Sequence, residues 1–134
     1  FVLKKRSIAQ FYYESLKNCT DLILPVEKEW AKNSYWLFTL LVDDRKNSIS
    51  IDKLAQKLLL NGIETRPVFS PLHQMPPYEK YYRGQNLYHA IKVAKHGLSL
   101  PSSCSISEKQ LEAVATSINS IFAIESLMKN QQIS

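Results

Sequence analysis

The stretch Asn61-Gly62-Ile63-Glu64-Thr65-Arg66-Pro67, continued through Phe69 and Pro71-Leu72-His73 to Pro76-Pro77-Tyr78, constrains this chain more than any other. Asn61-Gly62 follows an apolar-periodic segment and supplies the left-handed backbone that ends helices. Glu64 to Phe69 then reads as extended, because Pro67 disfavours helical geometry at Arg66 and has no N–H to give to a central ladder. The prolines at 71, 76 and 77 stiffen the loop that carries His73. A guanidinium, an imidazole and aromatic rings are thus held on a backbone with little freedom to lose, which suits a binding surface.

The flanking segments predict an α/β layer, a short sheet of about three or four strands with helices packed on it. Residues 1–17 read as a helix with Val2, Ile8, Phe11, Tyr12 and Leu16 at helical spacing. Leu22-Ile23-Leu24-Pro25 is a short extended piece. Tyr35 to Val42, aromatic and aliphatic on both alternating faces, is the strongest strand and reads as central. Ser50 caps a helix through Asn61 whose Leu54, Ala55, Leu58 and Leu59 form one face. Tyr78 to Tyr82 reads as a helical turn, and Asn86 to Lys95 as a helix with Leu87, Ala90, Ile91 and Ala94 inward, stopped by Gly97. Leu98 to Pro101 is a brief strand. Ser107 opens the last helix, with Gln110 at the third position of a capping box and an apolar stripe from Leu111 to Phe122. That helix is expected to end at Lys129, leaving residues 130–134 as a polar, disordered tail.

A chain of 134 residues is one domain by length and buries roughly two thirds of its unfolded surface on folding. The run from Tyr35 to Val42 is far too short to cross a bilayer, so no membrane association is expected. Cys19 and Cys104 lie in no CxxC or Cys/His cluster, which points to neither a disulfide framework nor a zinc site and gives a reduced, cytoplasmic protein as the plain reading. The net charge of +5 comes from scattered lysines without a nucleic-acid motif, so no nucleic-acid partner is expected. The first residue is Phe1, which leads us to expect a piece of something longer.

Catalytic constellations are not apparent. Gly62, Gly84 and Gly97 belong to no GxGxxG or phosphate-loop pattern. His73, His89 and His96 have no metal-ligand spacing, and Cys104 and Ser102-Ser103 sit in no nucleophile motif. Arg66 stands out at a strand end, where it can hold a phosphate or carboxylate in two parallel bonds, with His73 and Tyr78 adding donors. Alternatively, Arg66 pairs with Glu64 or Glu79, and His73 is an imidazole hydrogen-bonded to backbone in a tight turn. Trp36, Phe38 and Phe69 read as core.

At these residues the chain resembles the C-terminal part of the DegT-type sugar aminotransferases, most closely the perosamine-synthetase-like members. Lys5-Arg6-Ser7-Ile8-Ala9 with Tyr13 and Leu16, then Tyr35-Trp36-Leu37-Phe38, then Asp52-Lys53-Leu54 through Gly62-Ile63-Glu64-Thr65-Arg66-Pro67 come in family order. Pro71-Leu72-His73, Pro77-Tyr78, Leu98-Ser99-Leu100-Pro101 and the Ser107 helix follow. The resemblance covers residues 1 to about 122. It implies the small C-terminal domain of a fold-type-I, pyridoxal-phosphate-dependent aminotransferase, spanning residues 1–129, with the N-terminal cofactor domain missing. The parent enzyme would move an amine from glutamate to a keto sugar on a nucleotide carrier, in amino-sugar biosynthesis for polysaccharide, and would work as a homodimer. In that setting Arg66, His73 and Tyr78 would bind substrate. No catalytic, cofactor-binding or metal residue is expected in this chain, no covalently held cofactor, and no activity of the chain alone. Two alternatives stand: a sugar dehydratase of the same family, and a stand-alone α/β ligand-binding module. A fragment of this kind is expected to expose an apolar surface on the first helix around Val2, Ile8, Phe11 or Tyr12.

Overall fold

A computed structural model of the chain describes residues 1–46 and 49–132. The elements are α1 (Val2–Leu16), β1 (Leu22–Ile23), β2 (Phe38–Val42), α2 (Ile51–Leu60), β3 (Arg66–Pro67), a 3-10 turn at Leu72–Gln74, α3 (Pro76–Glu79), α4 (Tyr88–His96), β4 (Gly97–Leu100) and α5 (Glu108–Gln132). The four strands form one antiparallel sheet in the order β1-β2-β4-β3. β3 lies at the edge, as a strand containing Pro67 must, since proline has no N–H for a ladder on both sides.

Alternation along the strands sorts the sheet into two faces. Phe38, Leu40 and Val42 of β2 and Leu98 and Leu100 of β4 join one buried cluster. α1 adds Ile8, Ala9, Tyr12 and Leu16 to it, α2 adds Leu54 and Leu58, and α5 adds the stripe Leu111, Val114, Ala115, Ile118, Ile121 and Phe122. The opposite face carries Thr39, Leu41, Gly97 and Ser99, and α4 approaches it through Val93. By length and composition α5 is also apolar enough to cross a membrane, yet its stripe is the core of this fold.

Local chemistry sets the boundaries. Ser50 Oγ accepts from the Lys53 N–H at 3.3 Å to start α2, and Gly62 at φ 75° follows its end. Ser107 and Gln110 form the expected reciprocal capping box, with the Gln110 N–H on Ser107 Oγ at 3.2 Å and the Ser107 N–H on Gln110 Oε1 at 2.9 Å. α5 then runs past Lys129 to Gln132, so the first part of the expected tail is helix, and residues 133–134 lie outside the described residues.

Several expectations need correction. β2 begins at Phe38, not Tyr35, because Tyr35 sits at φ 50° with its N–H on Asn33 Oδ1 at 2.8 Å, a local turn that swings Trp36 and Leu37 out of the sheet. Trp36 is 69% and Phe69 74% exposed, so of the three aromatics assigned to the core only Phe38 belongs there. Of the four α1 residues expected to be exposed only Val2 is; Ile8 and Tyr12 are buried and Phe11 half-buried, while Leu3 and Tyr13, with Phe1 just before the helix, are exposed. Leu59 faces solvent, and α4 buries none of its residues, Ala90 and Ile91 included. The short helix α3 falls at Pro76–Glu79 instead of Tyr78–Tyr82, because proline is well placed at the first helical positions.

Candidate functional site

The first helix is fastened to the loops around the sheet by its basic pair. Lys5 Nζ donates to the Trp36 carbonyl at 2.8 Å and the Ser102 carbonyl at 2.6 Å. Arg6 grips both carboxylate oxygens of Glu27 at 2.7 and 3.0 Å, donates to the Asn33 carbonyl at 2.6 Å, and lies 5.8 Å from the centre of the Tyr35 ring. Tyr12 Oη donates to the Pro101 carbonyl at 2.7 Å. These bonds satisfy the irregular segments before β2 and after β4, where no ladder partner exists.

The anchors have an acid signature. The Arg6 hydrogen bond and then the Asn33 N–H pull the Glu27 carboxyl down to about 2, and the Arg45 hydrogen bond pulls Asp43 down to about 2. A carboxyl whose pKa falls on folding stabilises the fold above its unfolded value and loses that contribution as pH drops through the folded value. Stability is therefore expected to hold from neutral pH to about 4.5 and to fall between there and about 2. Arg6→Met should shrink that acid-side loss, as read by urea unfolding at stepped pH; an identical pH profile in the variant would count against the Arg6–Glu27 assignment.

Lys5, Trp36, Arg66, Ser99, Ser102 and Gln110 line a cleft of about 520 Å³ where β3 and β4 meet the start of α5. Arg66 reaches Glu64 at 3.6 Å, the local pairing that was one of its two readings. Both side chains are largely exposed, 81% and 77%, so the pair is weak and readily exchanged. His73 lies in the 3-10 turn with its ring centre 5.1 Å from that of Tyr82, and its Nε2 is buried without a hydrogen-bond partner among the described residues. Tyr78 is half exposed on α3. Arg66 thus lines the cleft, whereas His73 and Tyr78 belong to the neighbouring segment and do not. Among the described residues, no group of three His, Cys, Asp or Glu side chains is placed to hold a metal.

Sequence reasoning passed over Lys5, Ser99, Ser102 and Gln110 as cleft residues. The signal for Lys5 was the basic pair at an otherwise unremarkable place on α1; the serines carried none.

A family model described as the DegT/DnrJ/EryC1/StrS aminotransferase family matches residues 1–119. GDP-perosamine synthase of Escherichia coli O157:H7 is 32% identical over 126 residues, 92% of this chain and 32% of that protein. The chain therefore spans about a third of the length of the curated relatives it matches. Among solved structures, the aminotransferase TlmJ of Streptoalloteichus hindustanus superposes with a TM-score of 0.79 at 24% identity, over 94% of this chain and 33% of that one. Spr1654 of Streptococcus pneumoniae in its PLP form gives 0.74 at 14% identity, over 93% and 32%. At these identities the structural likeness is one of fold.

Proposed function

This chain belongs to the DegT/DnrJ/EryC1/StrS aminotransferase family, and on that footing we propose that it is the C-terminal small domain of a sugar aminotransferase of the perosamine synthase kind. The observation that carries the reading is the pairing of a family match over residues 1–119 with coverage of only about a third of the relatives. In the complete enzyme the amine of glutamate would pass, through pyridoxal phosphate, to a keto sugar on a nucleotide carrier, with the enzyme assembled as a homodimer. Amine transfer is preferred to sugar dehydration because the matching family is described as one of aminotransferases and the relative at 32% identity is a perosamine synthase. A module with no enzymatic relatives is not what family membership supports.

The residues of this chain do not fit a pyridoxal phosphate site. Such a site needs a free lysine amine beside an acid for the ring nitrogen and a stacking group. Lys5, which lines the cleft with Arg66, is tied to two carbonyls, and both bonds would have to break before its amine could add to an aldehyde. Lys53 and Lys57 are held at Glu125, and Lys92 at Asp44. The ties on these lysines support reading the cofactor lysine as one outside this chain. What this chain contributes is binding: the Arg66 guanidinium supplies parallel donors to an anionic group, and His73 Nε2 and the Tyr78 hydroxyl supply polar contacts at the adjoining segment.

The test pairs two measurements. The complete enzyme is expected to release 2-oxoglutarate from glutamate when given a nucleotide-linked keto sugar. This chain alone, incubated with pyridoxal phosphate and reduced with borohydride, is expected to show no stoichiometric adduct by intact mass. A single stoichiometric adduct on one lysine would place cofactor chemistry in this chain and overturn the assignment.

A further inference from the structure

We propose that Thr39, Ser99 and Arg66 form an oxyanion-binding row across the sheet face opposite the apolar core, taking a carboxylate or phosphate group. The proposal rests on the reading above that Arg66 serves a ligand, and it adds two hydroxyls to which no role has been given.

The register brings the three residues together. Thr39 on β2 pairs with Ser99 on β4, and Ser99 pairs with Arg66 on β3. Directly opposed residues in an antiparallel ladder share a face, with Cβ atoms about 5 Å apart. That face is the one opposite Phe38, Leu40, Leu98 and Leu100, so the row lies outside the apolar core. It runs from the interior of the sheet to its edge and ends in the cleft that Ser99 and Arg66 line together.

The hydrogen bonding of the row is incomplete. Thr39 Oγ1 and Ser99 Oγ lie 2.9 Å apart, and either can be the donor. Two hydroxyls carry two protons, and their mutual bond uses one. Neither oxygen has a second partner among the described residues, so one O–H is left to point elsewhere. The leftover proton sits on whichever oxygen accepts; on Ser99, buried at 6% exposure, a hydroxyl proton without an acceptor is costly. Among the described residues Arg66 likewise has no protein partner for its five N–H donors better than Glu64 at 3.6 Å. A spare hydroxyl proton and a weakly engaged guanidinium fork on cross-strand neighbours that line one cleft are donors whose complement is a ligand bringing oxygen lone pairs and negative charge. An oxyanion entering the cleft would displace Glu64, an exposed and weakly held partner, and accept from both groups.

The carboxylate of an amine donor and a phosphate of a nucleotide share this chemistry, and separate probes distinguish them. Amide chemical shifts of the ¹⁵N-labelled chain would be followed during titration with inorganic phosphate, glutamate and guanosine diphosphate in turn. The expected result is saturable shifts centred on Ser99 and Arg66 with at least one probe; saturation with phosphate and the diphosphate assigns the phosphate, and with glutamate alone the carboxylate. Ser99→Ala is expected to weaken that binding about three- to tenfold. Thr39→Val, an isosteric change that suits a strand, is expected to weaken it similarly, and Arg66→Ala to abolish saturation. Unchanged affinity in both hydroxyl variants would overturn the row while leaving Arg66 as a ligand residue. Unchanged affinity in Arg66→Ala, or no saturable shift with any probe, would overturn the row together with the reading of Arg66 on which it stands.

Discussion

Tyr12→Ala is expected to lower the unfolding free energy of this chain by about 3–5 kcal/mol, and Tyr12→Phe by about 1–2 kcal/mol. The difference separates two jobs done by one side chain. Its ring is fully buried and packs 5.1 Å, centre to centre, from Phe38 on the central strand, so truncation opens a cavity between α1 and the sheet. Its hydroxyl donates to the Pro101 carbonyl at 2.7 Å, just past the end of β4, and the phenylalanine variant leaves that acceptor without its donor. Burial pushes the phenol pKa up, which keeps the hydroxyl a donor through the physiological range. Against a typical stability of about 5–15 kcal/mol for a whole domain, the alanine variant sits close to unfolding. Urea denaturation followed by far-ultraviolet circular dichroism measures both. An alanine variant that loses less than the phenylalanine variant would mean that α1 is not seated on the sheet through this ring.

The same residue shows what a sequence makes legible. Tyr12 falls in the helical stripe of α1, and periodicity alone marks it for burial, whereas a helix face awaiting a further domain would leave it exposed. The stripe was the better guide, because apolar spacing reports which face is covered and says nothing of a missing partner. Caps were readable for a similar reason: Ser50 and the Ser107–Gln110 box act within four residues of themselves. The edge position of β3 followed from a single missing N–H at Pro67. Hidden from the sequence were the contacts that close over long separations. Lys5 bonds to carbonyls 31 and 97 residues away, and nothing in its neighbourhood announces either. Glu125 looks like one more polar residue of α5, but it is buried, with Lys57 at 3.2 Å and Lys53 at 3.9 Å from the facing helix. Trp36 and Phe69 mislead in the other direction, since hydrophobicity cannot tell a core ring from one this chain leaves uncovered. The Thr39–Ser99–Arg66 row needed the strand order, in which β4 inserts between β2 and β3.

Of the three glycines, Gly97 on that inserted strand is the one where an added side chain would meet close neighbours. It is the first residue of β4 and directly follows α4, so helix and strand join there without a loop. Its backbone is ordinary extended conformation, φ −94°, and the demand for glycine is therefore steric. A Cβ at this place would come 2.5 Å from the Val93 carbonyl oxygen, 2.4 Å from Val68 Cγ2 and 3.2 Å from Leu41 Cδ2. Gly97→Ala is expected to cost about 1–3 kcal/mol, and Gly97→Val about 3 kcal/mol or more, by forcing the last turn of α4 off the sheet. The gain of about 0.4–1 kcal/mol that alanine brings by restricting the unfolded chain is too small to reverse the sign. Which neighbour enforces the cost is open to a second variant. The Val68 methyl can turn or be removed, whereas the Val93 oxygen belongs to the helix backbone and moves only if α4 moves. The double variant Gly97→Ala/Val68→Ala should therefore stay well below Val68→Ala in melting temperature. Full recovery to the Val68→Ala value would assign the clash to the methyl and would mean that α4 yields easily at its junction with the strand that carries Ser99.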